Sequence, residues 1–234
     1  MKKQDVEFKV GEDTLRGALF IPDGKGPFPA VIFFHGSESK GETNFELAEK
    51  IAQRGILGFA FNYRGCGISD GDIKEQTLGM GIEDVKAAMK ALLSRKEIDK
   101  TRIGVCGSSY GGFLASLISS EYIFKSMVLT VPAAYTPTAM SVIHGSNIRT
   151  LGDTFKDSLS YKEIGIFKGD LLVIGAEFED LLPQGMVEKY FEAAKNVRKK
   201  EAYVLKEAKH VIRLYPKAKK VMMEKVMNWF SKTL

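Results

Sequence analysis

Strand-like and helix-like segments alternate along this chain almost from end to end, and that alternation restricts the folds open to it more than any other feature. Val6 to Val10 and Thr14 to Ile21 form a predicted hairpin around Gly11-Glu12-Asp13. Ala30 to Phe34 is an unbroken apolar run, the pattern of a strand buried on both faces. Leu57 to Asn62, Ile103 to Cys106, Lys125 to Pro132, Leu171 to Ile174 and Ala202 to Lys206 are the further strands. Between them, Asn44 to Gln53, Gly81 to Leu93, Phe113 to Ser120, Met186 to Val197 and Pro216 to Lys232 carry helical spacing. Ala133 to Lys168 breaks the pattern, with scattered apolar residues among Pro137, Gly145, Gly152 and Gly165. The expectation is an α/β chain with a mostly parallel sheet and helices on both faces. Ligands of such sheets bind at the carboxyl ends of the strands, where the loops after Phe34, Asn62, Cys106, Ile174 and Lys206 converge.

At 234 residues the chain is read as one domain, 1–234, able to bury a large core. Apolar content of 44% and charged content of 27% are those of a globular protein. No apolar stretch is long enough to span a bilayer. The start, MKKQDVEFKV, lacks the apolar centre of a secretion signal. Cys66 and Cys106 fit reduced thiols better than a disulfide framework, so a cytoplasmic location is expected. The net charge of +5 comes with no interleaving of aromatic and basic residues, which argues against a nucleic-acid surface.

Gly107-Ser108-Ser109-Tyr110-Gly111 reads G-x-S-x-G and lies between a strand and a helix. A serine at such a turn presents its hydroxyl as a nucleophile, and the close-packed turn requires nearly bare positions two before and two after it. Gly107 and Gly111 select Ser109; the flanks of Ser108 would be Cys106 and Tyr110. The serine needs a base. Of three histidines, His210 follows the last strand, at the correct sheet edge, and is the expected base. His35, directly before Gly36, is read as shaping its loop, and His144 as an ordinary loop residue. The carboxylate that orients the base is expected in Gly175-Ala176-Glu177-Phe178-Glu179-Asp180-Leu181-Leu182-Pro183, which narrows to Glu179 or Asp180. Oxyanion donors are expected at the backbone N–H of Tyr110 and of Ser37, in the His35-Gly36-Ser37 loop.

With these motifs in order, the chain resembles the α/β-hydrolase family. More narrowly it is similar to small carboxylesterases related to feruloyl and cinnamoyl esterases, to dienelactone hydrolases and to the catalytic domains of prolyl-oligopeptidase-like enzymes. The resemblance rests on Phe34-His35-Gly36, on Asn62-Tyr63-Arg64-Gly65 with Gly67 and Ser69, on the Ser109 elbow, on the acid loop ending Leu182-Pro183, and on His210. It implies a mostly parallel eight-stranded sheet with a small cap insert at 133–168, Ser109 as nucleophile, His210 as base, and Ser37 and Tyr110 as oxyanion donors. In the family an aspartate stands three residues after the glycine and four before the proline. Here the interval from Gly175 to Pro183 is one residue longer: counting back from Pro183 selects Glu179, while the family's preference for aspartate selects Asp180, and the shorter carboxylate is preferred. The insert is where relatives select substrates; Met140, Val142, Ile143, Ile148, Phe155 and Tyr161 are its candidate pocket residues.

The implied activity is hydrolysis of small to medium carboxylic esters through an acyl-enzyme. A thioesterase, a peptidase of the prolyl-oligopeptidase type and a catalytically silent binding relative are the alternatives. No metal or cofactor is expected: there is no H-E-x-x-H, the cysteines lie far apart, and Gly65-Cys66-Gly67 departs from a dinucleotide fingerprint because Gly71 is one place late. Strict dienelactone hydrolases use a cysteine nucleophile where this elbow has Ser109. The implied partner is a small-molecule ester; neither membrane nor nucleic acid is expected.

Overall fold

The computed structural model describes residues 1–37, 40–143 and 156–234. One eight-stranded sheet runs through it, in the order β1-β2-β4-β3-β5-β6-β7-β8. The strands are β1 (Lys2–Val10), β2 (Asp13–Ile21), β3 (Phe28–Phe34), β4 (Leu57–Phe61), β5 (Ile98–Ser108), β6 (Ser126–Thr130), β7 (Asp170–Ala176) and β8 (Lys199–Leu205). The β1–β2 hairpin and the β2–β4 pair are antiparallel, and every other pairing is parallel. The helices are α1 (Glu42–Ala52), α2 (Met80–Leu93), α3 (Tyr110–Leu117), α4 (Leu159–Ile166), α5 (Met186–Ala193) and α6 (Pro216–Thr233).

Side-chain alternation along β3 feeds two cores. Ala30, Ile32 and Phe34 pack with Val85, Met89 and Leu92 of α2, Phe113 and Leu114 of α3, and Tyr190 of α5. Val31 and Phe33 point the other way, toward Leu47 and Ile51 of α1 and Val226 and Phe230 of α6. Full burial of such side chains contributes about 1.5–3 kcal/mol each, and a strand that serves two layers has no wet face to mark with polar residues.

Among its described residues, the segment that broke the alternation holds an α-helix, α4, that its sequence does not announce. Ser158 caps α4 by accepting from Ser160 N, Ile164 is buried, and Ser160 Oγ lies 2.8 Å from Tyr190 Oη. Residues 137–143 dock onto the loop ahead of α2: Leu78 N donates to Val142 O at 2.9 Å and Gly79 N to Met140 O at 2.8 Å. Met140 and Tyr161 pack, partly buried, on the α2–α3 side of the sheet. His144, Ile148 and Phe155 lie outside the described residues. No helix among those described is long and apolar enough to cross a membrane.

Candidate active site

β5 ends at Ser108 and α3 starts at Tyr110, so one residue turns the chain. That residue is Ser109, with φ 53° and ψ −115°, a conformation that costs a non-glycine residue roughly 1–3 kcal/mol. Its backbone is held on both sides. Ser109 N donates to Thr130 O at 2.9 Å, and Gly112 N and Ala133 N donate to Ser109 O at 2.9 and 3.0 Å. The glycines expected around it are required by contact: a Cβ on Gly107 would lie 2.3 Å from Gly111 O, and one on Gly111 would lie 2.2 Å from Phe34 O.

His210 stands between β8 and α6, and its ring spans two partners. Nε2 is 2.8 Å from Ser109 Oγ, and Nδ1 is 2.8 Å from Glu179 Oε2. An ionised Glu179 accepts from Nδ1–H, which leaves Nε2 as the acceptor facing the serine hydroxyl. Both side chains are enclosed, with exposures of 8% for His210 and 11% for Glu179. Burial pushes the Glu179 carboxyl up, but hydrogen bonds from His210, Leu181 N and Leu182 N more than offset it, and the group is held below the ordinary glutamate value.

Of the two acids expected as the orienting carboxylate, Glu179 and Asp180, the structure sets Glu179 against the His210 ring and Asp180 apart from it. The Asp180 carboxylate turns outward, 40% exposed, to Lys209 Nζ at 3.3 Å, and meets His210 only at the backbone N, 3.4 Å away. Glu177, the third acid of the loop, accepts from Glu207 N and Lys206 Nζ at 2.9 Å each and ties the loop after β7 to the loop after β8.

The other sequence-selected residues surround this line. Tyr63 N donates to His35 Nε2 at 3.2 Å, so Nδ1 carries the proton and donates to Gly36 O at 2.7 Å; the ring fixes the β3 loop to the β4 loop. That loop passes over Ser109, since a Cβ on Gly36 would lie 3.5 Å from Ser109 Cβ, and Ser37 follows in the wall of the cleft beside it. The Tyr110 ring is buried and donates to Leu78 O at 2.6 Å, while its amide opens α3 next to Ser109. Arg64 donates through Nε to Asp84 Oδ1 at 2.6 Å and through its backbone N to Oδ2 at 2.9 Å, anchoring the β4 loop to α2. Neither Asp84 nor Glu83, the outer partner of Arg64 at 2.8 Å, carried a sequence signal beyond its place on a helix.

A cleft of about 240 Å³ opens beside Ser109 and His210, walled by the Gly36-Ser37 loop, the first turns of α1 and the turn before α6. Cys106 also lines it, but burial pushes that thiol up to about 12, so it is not a thiolate nucleophile at neutral pH.

An eight-stranded, mostly parallel sheet bearing an elbow serine against a histidine defines an α/β hydrolase of the serine type. Residues 43–234 match the prolyl oligopeptidase family, and the chain belongs to that family. Among curated relatives, it is 23% identical over 239 residues to the uncharacterized protein YfhR of Escherichia coli O157:H7, covering 99% of this chain and 81% of that one. It is 29% identical over 164 residues to esterase EstD of Thermotoga maritima, covering 66% of this chain but 36% of EstD. Among solved structures, EstE1, a thermophilic carboxylesterase cloned from a metagenomic library, superposes with a TM-score of 0.77 at 20% identity, covering 100% of this chain and 89% of that one.

Proposed function

We propose that this serine hydrolase cleaves carboxylic esters through an acyl-enzyme formed on Ser109. The observation that carries the reading is the unbroken line Glu179–His210–Ser109, with both contacts at 2.8 Å. His210 Nε2 takes the Ser109 proton as Oγ attacks the ester carbonyl, then delivers it to the leaving alkoxide. Glu179 keeps the ring in the required tautomer and stabilises the imidazolium. The amides of Ser37 and Tyr110 hold the oxyanion. Water, activated by the same Nε2, then attacks the acyl carbon and frees Ser109. EstD and EstE1, named as esterases, support the choice of bond. The segment 133–168, partly described, is proposed as the substrate-selecting cap.

The test is turnover of a 4-nitrophenyl ester series from acetate to long acyl chains. A cleft of about 240 Å³ predicts an optimum at short acyl groups. Ser109→Ala is expected to lower kcat by roughly four to six orders of magnitude with the fold intact. Unchanged turnover in that variant overturns the proposal. The family match favours one second reading, an amide bond, which would show as aminoacyl-arylamide cleavage without ester cleavage.

A further inference from the structure

The cleft beside Ser109 is lopsided in charge. Its described lining includes no carboxylate, and apart from the histidines His35 and His210 its one ionisable cation is Arg213, in the 3-10 turn Ile212–Leu214. Arg213 is exposed and makes no ion pair or side-chain hydrogen bond among the described residues. The two acids of the loop after β7 nearest His210 are already committed, Glu179 to His210 and Asp180 to Lys209. A guanidinium without an ion pair among the described residues, in the wall of a small cleft, raises the local concentration of anions and offers a planar fork to a carboxylate.

A second observation points the same way. Asn44, in the first turn of α1, lines the cleft wall; it is only 7% exposed, and its Nδ2 is buried without a hydrogen-bond partner. The turn that carries it is the positive end of the α1 dipole, and no side chain caps that end. Glu42 in the same turn is exposed and does not line the cleft.

We infer that Arg213 makes this cleft selective for esters whose acyl or alcohol part carries a carboxylate, with its guanidinium pairing the anion. The inference rests on Ser109 being the nucleophile. Substrate pairs that differ in charge read it directly: monoethyl glutarate against ethyl hexanoate for the acyl side, and 4-acetoxybenzoate against its methyl ester for the alcohol side, each followed by proton release. The wild type is expected to prefer the anionic member of one pair, and that pair identifies the side. Arg213→Gln is expected to lower kcat/KM for the anionic member about tenfold, leave the neutral member unchanged, and be partly restored by Arg213→Lys. Arg213 is exposed, so its replacement leaves the core untouched. No charge preference in the wild type, or equal effects of Arg213→Gln on both members, overturns the inference. Where no ester is turned over, fluorophosphonate labelling of Ser109 separates the outcomes: labelling slowed by glutarate supports the inference, labelling indifferent to glutarate overturns it alone, and absent labelling overturns the nucleophile as well.

Discussion

Glu179 and Asp180 are neighbours in the chain and differ by one methylene, yet only one is wrapped in donors. Glu179 accepts from His210, Leu181 N and Leu182 N; Asp180 faces solvent and Lys209. Glu179→Gln is expected to lower kcat/KM by about three to four orders of magnitude, because an amide no longer enforces the tautomer. Asp180→Asn is expected to stay within about threefold, as befits an exposed pair. Because Glu179 is held below the ordinary glutamate value, it is already ionised at neutral pH. The deficit of Glu179→Gln is therefore expected to be level from neutral to alkaline pH in a pH–rate profile. In sequence the two acids were separable only by position, and the count back from Pro183 pointed to Glu179 while residue preference pointed to Asp180. What decides is the turn after β7, whose amides at Leu181 and Leu182 close on one carboxylate, and that closure has no signature in residue type.

The elements show which signals survive folding. The unbroken apolar run of β3 was readable because both faces are buried, and the elbow because Gly107 and Gly111 meet backbone at distances no Cβ tolerates. Gly111→Ala must push Phe34 O, part of the central sheet, and is expected to lower Tm far more than Ser109→Ala, measured by thermal unfolding; equal values would contradict the packing account. Two elements were under-read for physical reasons. β1 extends back to Lys2 because backbone pairing of Lys2 with Ile21 through Asp5 with Ala18 needs no apolar side chains at an exposed, lysine-bearing edge. α4 is short, contains Gly165 and buries few apolar residues, so it is held by the Ser158 cap and Ser160 more than by a hydrophobic stripe.

At the scale of the whole molecule, the strand order brings the loops after β3, β5, β7 and β8 to one edge, and this much followed from the alternation alone. The long-range polar ties did not. Arg64 and Asp84 come from a loop and a helix face that look solvated in sequence, yet they form a buried pair. Burial pushes the Asp84 carboxyl from 3.8 up to about 6, even though Arg64 pulls it down. The sign follows: the unfolded chain releases this proton first, so Asp84's contribution to stability falls as pH rises from about 4 to about 6 and is level above. Asp84→Asn, which leaves Arg64 its bonds to Met80 O and the exposed Glu83, is expected to remove that part of the pH slope, read by urea unfolding over a pH series.

The central claim is that Ser109 carries the acyl group. Rapid quenching of the protein with 4-nitrophenyl acetate, followed by peptide mass spectrometry, tests it most directly. The account predicts an acetyl group on the peptide holding Ser109, absent in Ser109→Ala and strongly reduced in His210→Ala. Turnover with no acyl group on Ser109, or with the group on another residue, contradicts it.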